Sequence, residues 1–145
     1  MIMKIIRSPK ETDLKIINNL LYQLDVNCQR KTHNFIKKIF QQKNVKIIGI
    51  YKNNQPQSLI AMIFLIFYQT FSGYRCRIED LVVDKNERGK GLGKKLLKEA
   101  IKIVKTKRVE FIELTSRPER KVANILYQKM GFKIKKTNVY RYYFS

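Results

Sequence analysis

The residues best suited to chemistry form a short basic loop in which every second position is glycine: Arg88, Gly89, Lys90, Gly91, Leu92 and Gly93. Because glycine has no Cβ, the backbone N–H groups of such a loop can turn towards one point. An amphipathic segment starts at Leu92, and the N-terminus of a helix would add unpaired donors and a partial positive charge. The pattern therefore predicts a cradle for a diphosphate, to which Arg88 and Lys90 add full charges.

Two other phosphate-binding motifs do not fit this loop. The dinucleotide pattern G-x-G-x-x-G needs a glycine at position 94 or 96, where the chain has Lys94 and Leu96. The Walker A pattern needs glycine at position 88 and serine or threonine at position 95, where the chain has Arg88 and Lys95. The loop taken alone also allows an ordinary glycine-rich connector.

Two adjacent acids, Glu79 and Asp80, precede the loop on a predicted strand. Side chains alternate between the two faces of a strand, so we expect at most one of these acids to face a cleft. A carboxylate in that position can act as a general base. The alternative is that Glu79 pairs with Arg75 or Arg77 on its own face of the strand.

A later predicted helix carries a second group of residues with chemical potential. On a helical wheel, its apolar positions form an arc that we expect to face the core: Val122, Ile125, Leu126 and Met130. Asn124 and Tyr127 lie together away from this arc. The pair suits the wall of a cofactor groove, although an ordinary surface tyrosine is the alternative.

These segments resemble the motifs of the GCN5-related N-acetyltransferase (GNAT) family. Residues 88 to 93 agree with that family's cofactor motif, Arg/Gln-x-x-Gly-x-Gly/Ala, at every fixed position. The segment from Asn124 to Phe132 is similar to the family's Asn-x-x-(Leu/Phe)-Tyr-x-x-x-Gly-Phe segment, with one residue instead of two between Asn124 and Leu126. The resemblance extends over nearly the whole chain and is densest from Ile78 to Phe132.

The resemblance implies a site for acetyl-CoA. In it, the loop amides would hold the pyrophosphate and the backbone of the preceding strand would pair with the pantetheine arm. The implied cofactor contacts are Leu81, Val82, Val83, Arg88, Gly89, Lys90, Gly91, Leu92, Gly93, Lys94, Asn124 and Tyr127. The implied general base is Glu79, acting through water, with Asp80 as the alternative, and Tyr127 would protonate the departing thiolate. The acceptor amine would lie near Glu79, Asp80, Thr115 and Arg117.

The expected activity is therefore transfer of an acetyl group from acetyl-CoA to a primary amine by direct attack on the thioester, with no metal. The acceptor could be a small molecule or a protein amine. Two alternatives remain: a basic nucleic-acid-binding module, and a non-catalytic sensor that binds acetyl-CoA.

Composition limits the class of protein. The chain has 145 residues, which suits one domain over residues 1–145, and a formal net charge of +20. Since the lysines are spread along the chain, we expect solvated lysines around one anionic cofactor site and only non-specific contact with nucleic acid. No apolar run is long enough for a membrane span, and Cys28 and Cys76 lack metal-site spacing. These features predict a cytoplasmic protein, and a homodimer stays open.

The elements that must position these residues can be read from periodicity and turn signals. Helices are predicted after a cap at Thr12 or Asp13, over about 32–42, from Leu92 to Val104, and from a Ser116-Arg117-Pro118-Glu119 capping box to Met130. Strands are predicted over about 4–7, 45–51, 58–68, 74–83, 109–114, 132–134 and 139–144. The order βααβββαβαββ predicts an α/β (α+β) fold, with four helices and a mixed, mostly antiparallel sheet of about seven strands.

Overall fold

The strands and helices follow the predicted order as far as residue 129. The structure, a computed structural model, describes all residues from 1 to 145. Its elements are β1 (Ile2–Ile6), α1 (Leu14–Leu24), α2 (His33–Gln41), β2 (Val45–Tyr51), β3 (Leu59–Thr70), β4 (Gly73–Val83), α3 (Leu92–Lys105), β5 (Ile112–Glu113) and α4 (Lys121–Lys129). The chain folds into two compact units, Met1–Leu114 and Thr115–Ser145.

The first unit contains a single sheet in the order β1-β2-β3-β4-β5. The first four strands pair antiparallel, and β5 runs parallel to β4. β-Branched and other apolar residues dominate β2 and β3, which is typical of buried strands. Ile48, Ile63 and Leu65 are completely or almost completely buried. The mixed, mostly antiparallel sheet is confirmed.

Local signals place the helices of this unit where the sequence predicts them. The Asp13 carboxylate accepts a hydrogen bond from the Ile16 N–H at 3.0 Å and so caps α1. The Thr32 hydroxyl caps α2 in the same way, by accepting from the Phe35 N–H at 3.2 Å. The apolar stripe of α3, which packs on β2, β3 and β4, is buried at Leu92, Leu96, Leu97, Ala100 and Val104. Burying each such leucine contributes about 1.5–3 kcal/mol.

The second unit contains α4, and its start differs from the prediction. The predicted capping box at Ser116 is wrong, because α4 begins at Lys121 and its N-cap, Arg120, makes no side-chain cap. The Arg120 N–H instead donates to the Arg117 carbonyl at 3.1 Å, which closes a turn where the first helical turn was expected. The Ser116 hydroxyl is buried and has no hydrogen-bond partner.

The end of α4 agrees with the prediction. Gly131 has a φ of 93°, the left-handed conformation expected of a C-terminal cap. The Phe132 N–H donates to the Tyr127 carbonyl, and the Gly131 N–H donates to the Gln128 carbonyl, both at 3.0 Å. These two bonds form a Schellman motif.

The last two predicted strands, at 132–134 and 139–144, are absent, so the sheet has five strands instead of about seven. The segment has strand-like composition, and Ile134, Val139, Tyr140, Tyr142, Tyr143 and Phe144 are all exposed. A strand exists only when a neighbouring strand pairs with it, and composition alone does not supply that neighbour. β5 is also shorter than predicted, with two residues paired to β4.

Neither cysteine forms a disulfide, and burial raises the pKa of the Cys76 thiol to about 11. None of the helices combines the length and the apolar character needed to cross a membrane.

Candidate active site

One edge of β4 is open along the part of the strand that leads into the glycine loop. On one side, β4 pairs with β3 from Gly73 to Val83. On the other side, β5 pairs only with Cys76 and Arg77. The backbone N–H and C=O groups that point to this edge beyond Glu79 therefore have no strand partner. An extended ligand carrying amides can add to such an edge as a strand would.

A β-bulge marks the start of the open segment. Met62 pairs with Val82 and Phe64 pairs with Glu79, so two residues of β4, Asp80 and Leu81, lie opposite one residue of β3. Asp80 has a φ of 48°, which is uncommon for a residue other than glycine and best tolerated by aspartate and asparagine. Such a bulge bends its strand and increases the local twist. The simple alternation expected for the two acids therefore breaks at Asp80.

The glycine loop has the conformation that its sequence predicts. Gly89 and Gly91 have φ values of 78° and 74°, where L side chains are strained. A Cβ added at either position would meet nothing within 4 Å, so the space over the loop is open. Helix α3 starts at Leu92 without a side-chain cap, and its first N–H groups remain available. This combination is an anion-binding geometry.

The charged side chains of the loop contact neighbouring protein groups. Arg88 Nε donates to the Val83 carbonyl at 3.1 Å. Lys90 Nζ lies 2.6 Å from Glu87 Oε2, and Lys52 Nζ lies 2.6 Å from Glu87 Oε1. Hydrogen bonds from Lys52 and then Lys90 are the largest causes that lower the pKa of Glu87. Lys94 is exposed in the first turn of α3.

Hydrogen bonds also join the segment before the glycine loop to α1. The Gln23 side-chain oxygen accepts from the Lys85 N–H at 2.7 Å, and its nitrogen donates to the Asp84 carboxylate at 3.0 Å. Sequence reasoning did not find Gln23 or Glu87. The partners of Gln23 lie 61 and 62 positions away along the chain, and Lys52, one of the two partners of Glu87, lies 35 positions away, beyond the reach of local patterns.

The two acids of β4 differ in environment. Glu79 Oε1 accepts a hydrogen bond from Arg77 Nε at 2.5 Å, and Arg77 Nη1 also lies 3.7 Å from Glu113 Oε1. Asp80 has a raised pKa, mainly because it is partly removed from water and secondly because of the Glu79 charge; Lys31 acts in the opposite direction. Glu79 is thus ion-paired with Arg77, whereas burial raises the pKa of the Asp80 carboxyl above its ordinary value.

In the second unit, Tyr127 does not have the placement expected from the helical wheel. Val122 and Ile125, which were predicted to face the core, are 85% and 53% exposed, whereas Tyr127 is only 8% exposed. The wheel prediction is wrong because apolar character alone cannot tell which face of a short helix is covered. The Asn124 side-chain nitrogen donates to the Arg117 carbonyl at 3.0 Å.

Burial raises the pKa of the Tyr127 hydroxyl, while Arg120 lowers it by a smaller amount. The Tyr127 ring meets Phe132 edge-on at a centroid distance of 6.1 Å. Thr115 and Arg117, the predicted acceptor contacts of this unit, are exposed.

The predicted site residues of the first unit form one continuous stretch, from Glu79 through the open edge of β4 to Lys94. A cavity of about 210 Å³ elsewhere in this unit is lined by β1, β2 and the end of α2, and contains none of them.

A strand edge that leads into an anion-binding loop is consistent with the family resemblance. A family model described as the acetyltransferase (GNAT) family matches residues 16–132. The chain belongs to the GNAT acetyltransferase family. The match covers β4, the glycine loop and α4, and ends at Phe132, which closes the second motif.

Solved acetyltransferase structures share the fold along nearly the whole chain. An acetyltransferase from Trypanosoma brucei has a TM-score of 0.79 and 21% identity, over 98% of this chain and 99% of that one. Glucosamine-6-phosphate N-acetyltransferase from Arabidopsis thaliana has a TM-score of 0.78 and 25% identity, over 99% of both chains. An aminoglycoside acetyltransferase from an uncultured soil metagenomic sample has a TM-score of 0.78 and 21% identity, over 99% of this chain and 96% of that one. No curated protein sequence matches the chain significantly.

Proposed function

We propose that this GNAT chain is an N-acetyltransferase that uses acetyl-CoA to acetylate a primary amine. The observation that carries the proposal is the continuity of three features: the open edge of β4, the left-handed glycines of the loop, and the uncapped start of α3. A long ligand with amides at one end and a diphosphate at the other fits this order of features. Acetyl-CoA supplies the activated acetyl group.

In this proposal, the edge of β4 and the glycine loop at the start of α3 bind different parts of the cofactor. The backbone of residues 81–83 would pair with the amides of the pantetheine arm, and an N–H near Val82 would stabilise the negative charge that develops on the carbonyl oxygen. The amides of residues 88–93 would hold the diphosphate. Lys94 adds charge at the start of α3. The sequence motif of α4 supports further contacts from Asn124 and Tyr127.

We assign the general base to Asp80 in preference to Glu79. An amine with a pKa near 10 is mostly protonated at neutral pH and must lose a proton before it attacks. A carboxylate of raised pKa accepts that proton more readily, directly or through water, and Asp80 has the raised pKa. Glu79 is engaged with Arg77 and would contribute negative charge near a cationic acceptor.

Tyr127 is the proposed proton donor to the departing thiolate. A tyrosine hydroxyl has an ordinary pKa near 10 and is protonated at neutral pH, as a donor must be, and burial raises the pKa of Tyr127 further. This assignment is supported by the motif and by the burial of the side chain. The conjugate thiol has a pKa near 8.5, so a proton stabilises the thiolate as it leaves.

Titration calorimetry with acetyl-CoA, followed by assay of free CoA thiol with a panel of amines, tests the proposal. The panel should contain a hexosamine phosphate, an aminoglycoside, a polyamine and a peptide with a free N-terminus. Binding with amine-dependent thiol release supports the enzyme. Binding without release by any amine favours the sensor, and absence of binding contradicts both.

A further inference from the structure

Glu87 is the one charged side chain that is buried in this chain, at 6% exposure. It lies in a single 3₁₀ turn, Lys85–Glu87, directly before the glycine loop, and its N–H donates to the Asp84 carbonyl at 2.8 Å. A carboxylate beside an anion site opposes anion binding by its charge. Its presence there therefore requires a compensating role.

The contacts of Glu87 link two segments. Its Oε1 contacts Lys52, in the turn between β2 and β3, and its Oε2 contacts Lys90, inside the glycine loop. Each carboxylate oxygen thus receives its own charged donor at 2.6 Å. Hydrogen bonds between charged partners are roughly twice as strong as neutral ones. The side chain bridges the loop to the neighbouring hairpin turn.

The loop needs such an anchor because residues 88–91, which precede the buried Leu92, are exposed. Gly89 and Gly91 carry no side chains, and their Cβ directions are empty to 4 Å. Glycine backbone also loses more conformational freedom on ordering than any other residue. Amides that are ordered before the ligand arrives bind more tightly, because the ordering cost has already been met.

We propose that Glu87 is a positioning residue for the cofactor, which holds the amides of residues 88–93 in their binding arrangement through Lys90 and Lys52. This proposal rests on the proposed function, since it presumes that the loop receives the diphosphate of acetyl-CoA. The lysines neutralise the carboxylate, so the three side chains together carry one net positive charge.

The substitution Glu87→Gln separates positioning from charge because the two effects have opposite signs. Glutamine keeps the size of the side chain but adds one unit of positive charge beside the anion site. If Glu87 only tuned charge, acetyl-CoA would bind more tightly to the variant. The positioning role predicts that affinity falls by about tenfold, the scale of one lost charge-assisted hydrogen bond.

The matched control is Glu99→Gln, which makes the same charge change on α3. Glu99 lies 3.8 Å from Lys102 and makes no contact with the loop. Calorimetry should show unchanged or slightly higher affinity for this control. Glu87→Asp keeps the charge but is one methylene shorter, so it should bind acetyl-CoA with intermediate affinity.

Hydrogen exchange of the loop amides, measured without ligand, tests the anchor independently of cofactor binding. Glu87→Gln should speed exchange at residues 88–93, and Glu99→Gln should not. If Glu87→Gln does not fold, a second variant, Lys52→Met, removes the exposed lysine that Glu87 contacts outside the loop. Lys43→Met, at another exposed lysine, is its control. Lys52→Met should then speed loop exchange, whereas Lys43→Met should leave it unchanged.

The failures of the two proposals can be distinguished. A wild-type chain that does not bind acetyl-CoA contradicts the proposed function, while loop exchange still reports on the anchor. A wild-type chain that binds, together with a folded Glu87→Gln variant of equal or higher affinity and unchanged loop exchange, overturns the positioning role.

Discussion

Asp80 combines an unusual backbone conformation with an unusual environment. It occupies the left-handed region inside a strand, and partial burial raises its pKa. Strained conformations of this kind persist where the surrounding structure enforces them, and they cluster at functional sites. Its neighbour Glu79 does not occupy the left-handed region and is ion-paired with Arg77, although the family resemblance pointed to Glu79 first.

The substitution Asp80→Asn should remove the base while tolerating the left-handed backbone. We expect kcat to fall by about 10²–10⁴-fold, the usual contribution of general base catalysis. The defect should be largest where Asp80 is ionised and the amine is still protonated, and it should ease as the pH rises towards the pKa of the amine. The measurement is kcat/KM against pH for Asp80→Asn and Glu79→Gln. If Glu79→Gln alone loses the fall of kcat/KM at low pH, the general base is Glu79 and not Asp80.

Thermal unfolding provides the control for this pair. A carboxyl group whose pKa is raised by folding favours the native state below its unfolded pKa, and this contribution is lost as the pH rises through its folded value. Ionised Asp80 is therefore unfavourable at neutral pH, and Asp80→Asn should raise Tm there, with a smaller gain at acidic pH. Glu79→Gln breaks the contact with Arg77 and should not raise Tm.

Tyr127 offers a separate test of proton donation. Tyr127→Phe keeps the buried ring and its contact with Phe132 but removes the hydroxyl proton. We expect kcat to fall by about 10²–10⁴-fold while acetyl-CoA affinity stays nearly constant. Steady-state kinetics and calorimetry on one preparation measure both quantities. Wild-type turnover by Tyr127→Phe with every amine would remove the tyrosine from the mechanism.

In the glycine loop, the backbone conformation, and not the available space, restricts which residues can replace a glycine. Gly91 has a φ of 74°, and a Cβ there would meet no atom within 4 Å. Gly91→Asp places a negative charge beside the bound anion and should abolish acetyl-CoA binding, a loss of several kcal/mol, because charge-assisted hydrogen bonds to oxyanions are among the stronger ones. Calorimetry at moderate salt measures this loss.

Gly91→Asn is the matched control, since asparagine has nearly the same size, tolerates the left-handed region and carries no charge. It should retain measurable affinity. If folded Gly91→Asp binds acetyl-CoA with nearly wild-type affinity, the loop does not hold the diphosphate.

Elements set by local signals could be predicted from the sequence, and elements set by distant partners could not. The Asp13 and Thr32 caps, the stripe of α3 and the left-handed Gly131 depend on residues within a few positions. The bulge at Asp80 depends on register with β3, and the strands expected after Gly131 depend on a neighbour that composition does not specify. An aspartate in mid-strand was the one available signal for the bulge, because aspartate is depleted in strands.

The candidate site also contains features that the sequence predicts and features that depend on distant partners. Glycine spacing predicts the loop because the conformation belongs to the glycines themselves. The bridge from Lys52 to Glu87 joins segments that only the fold brings together. The ion pair between Arg77 and Glu79 was one of two alternatives left open, and the structure shows it.

The net charge of +20 has a structural counterpart in α3. Its exposed side carries a row of lysines at helical spacing: Lys94, Lys98, Lys102 and Lys105. If these are solvated lysines, binding to RNA or DNA should be weak, independent of sequence and strongly reduced by salt. Filter binding over a salt series measures this. Tight binding to one defined RNA at physiological salt would favour a nucleic-acid-binding module.

The proposed activity is transfer of the acetyl group of acetyl-CoA to an amine. The most direct measurement is release of free CoA thiol by the wild-type chain with and without each amine of the panel, with Gly91→Asp as the inactive control. We predict amine-dependent thiol release with at least one acceptor, matched by formation of the acetylated amine, and none with Gly91→Asp. Thiol release that is equal for wild type and Gly91→Asp, or absent with every amine, would contradict the claim.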